Sequence, residues 1–197
     1  PGLLFWRQMT QWFGGMGIIV LAVAVLPFLG VGGLELIRAE APGPTSDRLA
    51  PRVSETAKRL WAVYVIFTIA SAVALFVTGI GWFDAAGLSL ALVSTGGFAP
   101  EAASIGAYDS VAVEVVLIIG MVIGGASFTL LYAALKGRPL DYLRNSEFRA
   151  YVTGLFVGIA AVTVFLTTTG SAFGESLRMA AFNVVTLGTS TGFGNAT

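Results

Sequence analysis

Uncharged apolar stretches alternate with polar segments along this chain. Four of the apolar stretches, residues 13–33, 60–81, 115–135 and 150–174, contain no Asp, Glu, Lys or Arg. A helix rises about 1.5 Å per residue, so about 20 apolar residues cross the roughly 30 Å hydrocarbon layer of a membrane. The pattern therefore predicts four membrane-spanning helices, which we number as spans one to four in chain order.

Two shorter apolar stretches follow the second and the fourth span. They cover residues 84–93 and 177–187, about half the length that a crossing requires. Each of them runs directly into a glycine-containing segment, which predicts a re-entrant pore helix followed by a loop. We expect Asp84 and Ser176 to cap the two helices, since such side chains accept hydrogen bonds from the free N–H groups of a first turn.

The two segments after the short helices match each other at a distance of 95 residues. They consist of Ser94, Thr95, Gly96, Gly97 and Phe98, and of Thr189, Ser190, Thr191, Gly192 and Phe193. Glycine interrupts regular structure, and broken backbone at membrane depth is tolerated only where it is buried in protein or lines a wet cavity. A helix-breaking turn between buried helices is the alternative reading, and the repetition in register weakens it.

Backbone carbonyls at such a break can replace the water shell of a cation. The candidate carbonyls are those of Thr95, Gly96, Gly97, Ser190, Thr191 and Gly192, and the hydroxyls of Ser94, Thr95, Thr189 and Ser190 are candidate ligands at the inner mouth. Glycine allows the positive φ that this requires. Oxygen ligands without carboxylates suit a monovalent cation better than a divalent one. The segments therefore predict two strands of a monovalent-cation selectivity filter.

The elements form an internal repeat of span, pore helix, filter and span. Residues 60–135 contain one whole repeat, residues 1–34 the second span of a preceding one, and residues 150–197 the first span, pore helix and filter of the next. A filter ring needs more strands than two. The predicted fold is thus an all-α integral membrane protein with re-entrant filter loops, pseudo-fourfold when complete, and we expect this chain to be an internal piece of it.

The distribution of charge predicts the orientation in the membrane. Nine of the eleven Lys and Arg residues lie in two polar linkers, residues 35–59 and 136–149. Short basic loops stay in the cytoplasm, so the filter is expected to face outward. The acidic residues expected on that outer side either attract cations or serve as ordinary interfacial polar groups. They are Asp84, Glu101, Asp109, Glu114 and Glu175, and Glu114 is also a candidate helix cap.

The composition of the chain excludes most enzyme mechanisms. It has no Cys and no His, which excludes thiolate nucleophiles, the commonest zinc ligand and the usual general base. A membrane enzyme would have to use paired carboxylates such as Glu101 and Asp109. A purely structural membrane subunit, with the filter segments as packing turns, is the other alternative. We expect Gly14-Gly15 and Gly124-Gly125 to serve helix packing, and Arg7 and Arg178 either to brace the outer pore or to face solvent.

A resemblance to a known family rests on several motifs spread over the whole chain. They are Phe5-Trp6-Arg7-Gln8, Gln11-Trp12-Phe13-Gly14-Gly15-Met16-Gly17, Pro42-Gly43-Pro44, Ser94-Thr95-Gly96-Gly97-Phe98 and Glu147-Phe148-Arg149. In this combination the sequence resembles the TrkH-type potassium uptake proteins of the Trk/Ktr/HKT superfamily. The first of these motifs correspond to the second helix of that family's first repeat.

The resemblance implies four nonidentical repeats in one chain, each giving one filter strand with a central glycine. It implies potassium uptake across the inner (plasma) membrane by a multi-pass protein that is not an enzyme, with potassium as the transported ion and no cofactor. Sodium or mixed monovalent-cation transport is the nearest alternative, and the filter glycines favour potassium. A homodimer and a cytoplasmic nucleotide-binding ring protein are the implied partners. Channel-like transport and proton- or sodium-coupled symport both stay open, and the family's gate corresponds to sequence beyond Thr197.

Overall fold

The architecture is known from a computed structural model that describes residues 2–25, 46–126, 131 and 145–195. Within these residues the chain forms six α-helices and a 3₁₀ turn, Ser104–Tyr108, with no strand. The prediction of an all-helical fold is therefore confirmed. The helices are α1 (Gly2–Val25), α2 (Ser46–Val77), α3 (Trp82–Val93), α4 (Val111–Gly124), α5 (Ser146–Thr168) and α6 (Phe173–Gly188).

Helices α2 and α5 correspond to the predicted second and fourth spans. The segments Lys58–Val77 and Ser146–Thr168 are long and apolar enough to cross a membrane. Both helices begin earlier than their apolar stretches, α2 at Ser46 and α5 at Ser146, inside what the sequence suggested as polar linkers. Asn145 caps α5, since its Oδ1 accepts a hydrogen bond of 2.9 Å from Phe148 N. Residues 35–45 and 136–144 of those linkers lie outside the described part of the chain.

Helices α1 and α4 correspond to the first and third predicted spans, with shifted ends. Helix α1 already begins at Gly2, because the polar residues before Phe13 are compatible with a helix that apolarity alone does not detect. Helix α4 begins at Val111, where the Ser110 hydroxyl accepts from Val113 N, and its described part ends at Gly124. Residues 26–33 of span one, and 127–135 of span three except Leu131, lie outside the described residues.

The two short helices α3 and α6 each follow a span after the same kind of turn. The turn glycines Gly79 and Gly170 have φ of 95° and 102°, and each stands two residues beyond the end of its span. The expected caps are wrong. Helix α3 begins at Trp82 after Gly81, and α6 begins at Phe173 after Ala172, without a side-chain cap in either case. Asp84 and Ser176 lie within the first turns instead, because the preceding turn starts each helix earlier.

The largest buried cluster lies where the two short helices meet α4. Leu88 and Leu92 of α3, Leu117 of α4 and Phe182 of α6 are fully buried in it. Gly120 and Gly124 of α4 both face Leu92: a Cβ added to Gly120 would lie 3.2 Å from Leu92 Cγ, and one added to Gly124 would lie 3.7 Å from Leu92 O. This GxxxG spacing allows the close approach of α4 to the end of α3, as the sequence suggested.

Apolar side chains also cover the outside of the described bundle. On α5 the exposed residues include Phe156, Val157, Val164 and Phe165, each more than half exposed. In water such a surface would be unfavourable, whereas in a membrane it contacts lipid or other apolar helices. The outward faces therefore agree with a membrane environment.

Candidate functional site

The two predicted filter segments begin with the same backbone hydrogen bonds. In each segment the first three N–H groups turn back to carbonyls of the preceding pore helix, which satisfies both sets of groups. The bonds in the first segment run from Ser94 N to Leu90 O (3.3 Å), from Thr95 N to Leu92 O (3.1 Å) and from Gly96 N to Ala91 O (2.8 Å). Those in the second run from Thr189 N to Val185 O (2.9 Å), from Ser190 N to Leu187 O (3.0 Å) and from Thr191 N to Thr186 O (2.9 Å). Every donor and acceptor is displaced by the same 95 residues.

The backbone dihedrals of the two segments also match. Thr95 and Ser190 have φ of 50° and 58°, and Gly97 and Gly192 have φ of 71° and 86°. The residues between them, Gly96 and Thr191, are not among those with positive φ. Alternating signs of φ align successive peptide groups, with N–H groups on one side and carbonyls on the other. Because the N–H groups bond back to the helix, the carbonyls remain available for a ligand.

Positive φ at Thr95 and Ser190 is unusual for residues with a side chain and costs of the order of 1 kcal/mol or more at each. The same strain occurs at the equivalent position of both segments. Strained backbone of this kind is retained where the surrounding structure fixes it, and it is concentrated at functional sites. Because the strain is repeated in both segments, a ligand-binding role is better supported than a turn that only connects two helices.

The two segments meet each other. A Cβ placed on Gly97 would run into the carbonyl oxygen of Thr191 and would lie 2.9 Å from the carbonyl carbon of Gly192. Gly97 therefore needs to be glycine for two reasons, its positive φ and the backbone of the neighbouring segment. The prediction that the two segments are strands of one filter agrees with this contact, which joins Gly97 to residues 94 and 95 positions further along the chain.

A cavity of about 390 Å³ opens beside this contact. Both filter glycines, Gly97 and Gly192, belong to its wall, together with Arg7, Phe98 and Glu101. Phe98 is half exposed there, whereas the equivalent Phe193 is buried in the core with 2% of its surface exposed. The C-terminal ends of the filter segments thus open into a space whose wall includes one basic and one acidic side chain, Arg7 and Glu101.

Helix α1 holds the first filter segment from the side. The guanidinium of Arg7 donates through Nη2 to Ala99 O at 2.7 Å and lies 4.8 Å from the centre of the Phe98 ring. One turn further along, Gln11 Nε2 donates to Gly96 O at 2.8 Å. Of the two roles considered for Arg7, bracing the outer pore is the one that the structure supports.

A different network holds the second filter segment. Arg178 on α6 donates to both carboxylate oxygens of Glu114, through Nε at 2.8 Å and Nη2 at 3.2 Å. Asn195 Nδ2 donates to the same carboxylate at 3.3 Å, and Asn183 Nδ2 donates to Asn195 Oδ1 at 3.0 Å. Glu114 is only 4% exposed, so its carboxylate is shielded from water, whereas 37% of the Arg178 side chain is exposed. Through Asn195, this carboxylate fixes the chain just beyond Phe193.

Two main-chain contacts join this second segment to the loop that follows the first. Ile105 N donates to Gly194 O at 2.8 Å, and Gly194 N donates to the Ser104 hydroxyl at 3.2 Å. The residue just beyond the second filter segment is therefore bound to the loop that follows the first, in addition to the contact at Gly97.

The side-chain hydroxyls of the segments are already partly engaged. Ser94 Oγ donates to Leu90 O at 2.8 Å, and Thr189 Oγ1 donates to Val185 O at 2.8 Å. Thr95 Oγ1 donates to Ser94 O at 2.8 Å. These hydroxyl protons serve the pore-helix ends, so any contribution to a cation comes from the oxygen lone pairs alone.

The surface that the sequence suggested as acidic has fewer acidic side chains without a basic partner than expected. Glu114 is buried against Arg178, and Asp109 lies 3.6 Å from the same guanidinium. Glu114 is not the helix cap either, since Ser110 takes that role.

At the phenol of Tyr108, burial raises the pKa, and the nearby carboxylates of Asp84 and Glu101 add to the rise. That phenol therefore stays neutral at physiological pH.

Sequence reasoning missed three polar residues that support the filter: Gln11, Asn183 and Asn195. Gln11 and Asn183 are amide side chains next to apolar stretches, and Gln11 lies on a helix without a charge between Arg7 and its described end. That isolation was a usable signal, because a polar residue at membrane depth needs a partner. Among the described residues, no group of three or more Asp or Glu side chains forms a candidate metal site.

Comparison with known proteins gives consistent matches over nearly the whole chain. Residues 2–195 match the family described as TrkH, cation transport protein. The chain is 46% identical over 195 residues to the Trk system potassium uptake protein TrkH of Escherichia coli (strain K12), covering 97% of this chain and 40% of the relative. It is 36% identical over 195 residues to the Trk system potassium uptake protein TrkI of Halomonas elongata, covering 98% and 39%.

The crystal structure of the potassium transporter TrkH from Vibrio parahaemolyticus has the same fold over this region. The TM-score is 0.83 at 36% identity, and the match covers 98% of this chain and 39% of that one. The chain thus spans about 40% of the length of the relatives that it matches.

Proposed function

Since this chain belongs to the TrkH family of cation transport proteins, we propose that it forms the middle part of a membrane protein that takes up potassium. The relatives are transport proteins and not enzymes. The transported ion binds at the two glycine segments, residues 94–98 and 189–193, and no cofactor takes part. The family relationship does not by itself identify the residues that bind the ion, so we assign them from the local geometry.

The observation that carries the proposal is the convergence of two segments with one backbone pattern. The first three N–H groups of each segment donate to carbonyls of the preceding pore helix. The carbonyls of the segments take no part in these bonds, and they lie in the region where Gly97 contacts Thr191. Carbonyl oxygens supply a dehydrated potassium ion with ligands of the right hardness. The carbonyls of Thr95, Gly97, Ser190, Thr191 and Gly192 are the main candidates, since Gly96 O already accepts from Gln11.

Two strands supply only part of a coordination ring, and the remaining strands belong to the 60% of the relatives' length that this chain does not span. We place the second span of a preceding repeat in residues 1–34 and one complete repeat in residues 60–135. The first span, pore helix and filter of the next repeat occupy residues 150–197. The filter made by two such repeats and two further ones is pseudo-fourfold.

The protein lies in the inner membrane with its filter side outward and the segments 35–59 and 136–149 in the cytoplasm. Support for this orientation comes from the nine Lys and Arg residues in those segments and from the preference of short basic loops for the cytoplasm. The resemblance to the family supports a homodimer that associates with a cytoplasmic nucleotide-binding ring protein.

Rubidium uptake by the full-length protein tests the proposal. The protein is expressed in cells that lack their own potassium uptake, and Gly97→Asp is compared with the wild type. We expect Gly97→Asp to abolish uptake while the protein still reaches the membrane, because a carboxylate would enter the contact with Thr191. Gly174→Asp makes the same exchange in the exposed first turn of α6, where no described atom lies within 4 Å of an added Cβ, and is expected to keep uptake.

The outcomes separate the alternatives. Uptake that Gly97→Asp leaves unaltered would exclude the glycine segments as the ion path and favour a structural role for them. Sodium competes with rubidium in the same assay only weakly if the filter selects potassium. Equal competition would replace potassium by sodium or mixed-cation transport within the same architecture.

A further inference from the structure

The two filter segments have the same backbone, but among the described residues only the first of them has a side chain bound to its central carbonyl. Gln11 Nε2 donates to Gly96 O at 2.8 Å across 85 residues of sequence. A carbonyl oxygen can only accept, so the amide nitrogen is the atom that faces it. Gln11 comes from α1, which precedes the repeat to which Gly96 belongs.

Gly96 is shaped for this contact. A Cβ added there would lie 2.6 Å from both Cδ and Nε2 of Gln11. Gly96 is not among the residues with positive φ, so its backbone conformation does not require glycine. The absence of a side chain at this position is explained by the Gln11 amide, which occupies the space.

The next repeat provides an internal comparison, because α4 approaches its filter segment as α1 approaches the first. A Cβ on Gly15 of α1 would lie 2.7 Å from Tyr64 Oη and 3.0 Å from Ser94 Cβ. A Cβ on Gly125, at the end of α4, would lie 2.8 Å from Tyr151 Oη and 3.0 Å from Thr189 Cγ2. Ser94 and Thr189 are equivalent, so Gly15 and Gly125 are equivalent too.

With this alignment, Gln11 corresponds to Met121 and Gly96 to Thr191. Met121 is fully buried in the core and has no amide to donate. Among the described residues, no side chain donates a hydrogen bond to the Thr191 carbonyl, which instead lies against Gly97. The pair of Gln with Gly in one repeat is thus replaced by Met with Thr in the other.

A hydrogen bond to a carbonyl fixes its direction and uses one of the two lone pairs that would otherwise be free for a cation. We propose that Gln11 is a positioning residue that holds the Gly96 carbonyl and so lowers its contribution to ion binding, which makes the two strands inequivalent at the level of Gly96 and Thr191. This inference rests on the proposed function, since it assigns a role within the same filter.

The test measures rubidium and sodium uptake by the full-length protein with Gln11→Met, the residue found at the equivalent place. A net hydrogen-bond contribution predicts a change of about two- to tenfold in the KM for rubidium. We also expect the ratio of rubidium to sodium uptake to change. The melting temperature and the amount of protein in the membrane are recorded for each variant.

Gln8→Met is the matched control. Gln8 lies on the same buried face of α1, and its amide has no hydrogen-bond partner among the described residues. An added Cβ on Gly87 of the pore helix would lie 2.8 Å from its Oε1, so Gln8 packs against α3 and not against the filter. We expect this variant to keep the wild-type KM and ion ratio.

A double-mutant cycle adds a second readout. Gly96→Ala should push the Gln11 amide away and change KM in the same direction as Gln11→Met. The double variant should then show little further change, because both substitutions break one interaction. Additive effects would overturn the inference, as would a Gln11→Met variant with lowered stability and wild-type KM and ion ratio. Failure of the proposed function looks different, since uptake would then be absent from the wild type or insensitive to Gly97→Asp.

Discussion

The two filter segments, residues 94–98 and 189–193, share a backbone and differ in what supports it. The three hydrogen bonds that begin each segment and the two positive φ angles coincide residue by residue. The supports do not: α1 holds the first segment through Arg7 and Gln11, and a buried ion pair holds the second. The hydrogen bonds at the end of each pore helix therefore determine the backbone geometry of the segment that follows. Side chains from other parts of the chain hold each segment in place.

The sharpest way to probe this comparison is to place alanine at the two equivalent glycines. Gly97→Ala would drive a Cβ into the Thr191 carbonyl at a residue with φ of 71°. We expect rubidium uptake to fall by about tenfold or more, since strain and steric overlap at a filter each cost of the order of 1 kcal/mol or more. Uptake is measured on the full-length protein at equal membrane abundance.

Gly192→Ala extends the same test to the second filter segment, where among the described residues no neighbouring segment lies at the position of an added Cβ. Gly192 has φ of 86°, and no described atom lies within 4 Å of an added Cβ. In a closed pseudo-fourfold ring a further strand would lie against Gly192 as Thr191 lies against Gly97. We therefore expect a similar loss, and wild-type uptake would contradict ring closure at this strand. Gly174→Ala, in the exposed first turn of α6, serves as the control.

A smaller effect is expected from breaking the support of the second filter segment. Arg178→Met leaves Glu114 buried without its partner, which should cost about 3 kcal/mol, the lower part of the usual range, because the Arg178 side chain is 37% exposed. The melting temperature of the purified protein measures this loss. Asp109→Asn removes only an exposed partner of the same guanidinium and should change stability by less than about 1 kcal/mol. Equal effects would show that the buried carboxylate does not matter.

The smallest expected effects concern the helix contacts that are alike in both repeats. Gly15→Ala and Gly125→Ala would each bring a Cβ within 3.0 Å of the first filter residue, Ser94 or Thr189. Each should destabilise the protein by about 1–3 kcal/mol. Gly14→Ala meets no described atom within 4 Å, so its better helix propensity should make it neutral or slightly stabilising. A thermal shift for Gly14→Ala as large as that for Gly15→Ala would count against the packing alignment of α1 with α4.

Much of the architecture could be predicted because it depends on local sequence. The apolar lengths of α2 and α5 indicate crossing helices, and the repeated glycines mark the filter segments. The starts of α3 and α6 could not be predicted from Asp84 and Ser176, since the turns at Gly79 and Gly170 begin those helices without a side-chain cap. Periodicity does not contain such turn geometry.

The supports of the filter depend on contacts between distant residues, which a single sequence does not reveal. Glu114 looked like a cap or a surface acid, and only the position of α6 beside α4 turns it into the partner of Arg178. Gln11 and Gly96 are 85 residues apart, and nothing local connects them. The same holds for Asn195, whose partner carboxylate lies on another element.

The most direct test of the central claim is to locate the ion. Crystals of the full-length protein grown with thallium, a monovalent substitute for potassium with strong anomalous scattering, would show where the cation binds. The account predicts an anomalous peak between the two segments, in contact with carbonyls of both residues 94–98 and residues 189–193. A transporting protein whose thallium peaks all lie away from these segments would contradict it.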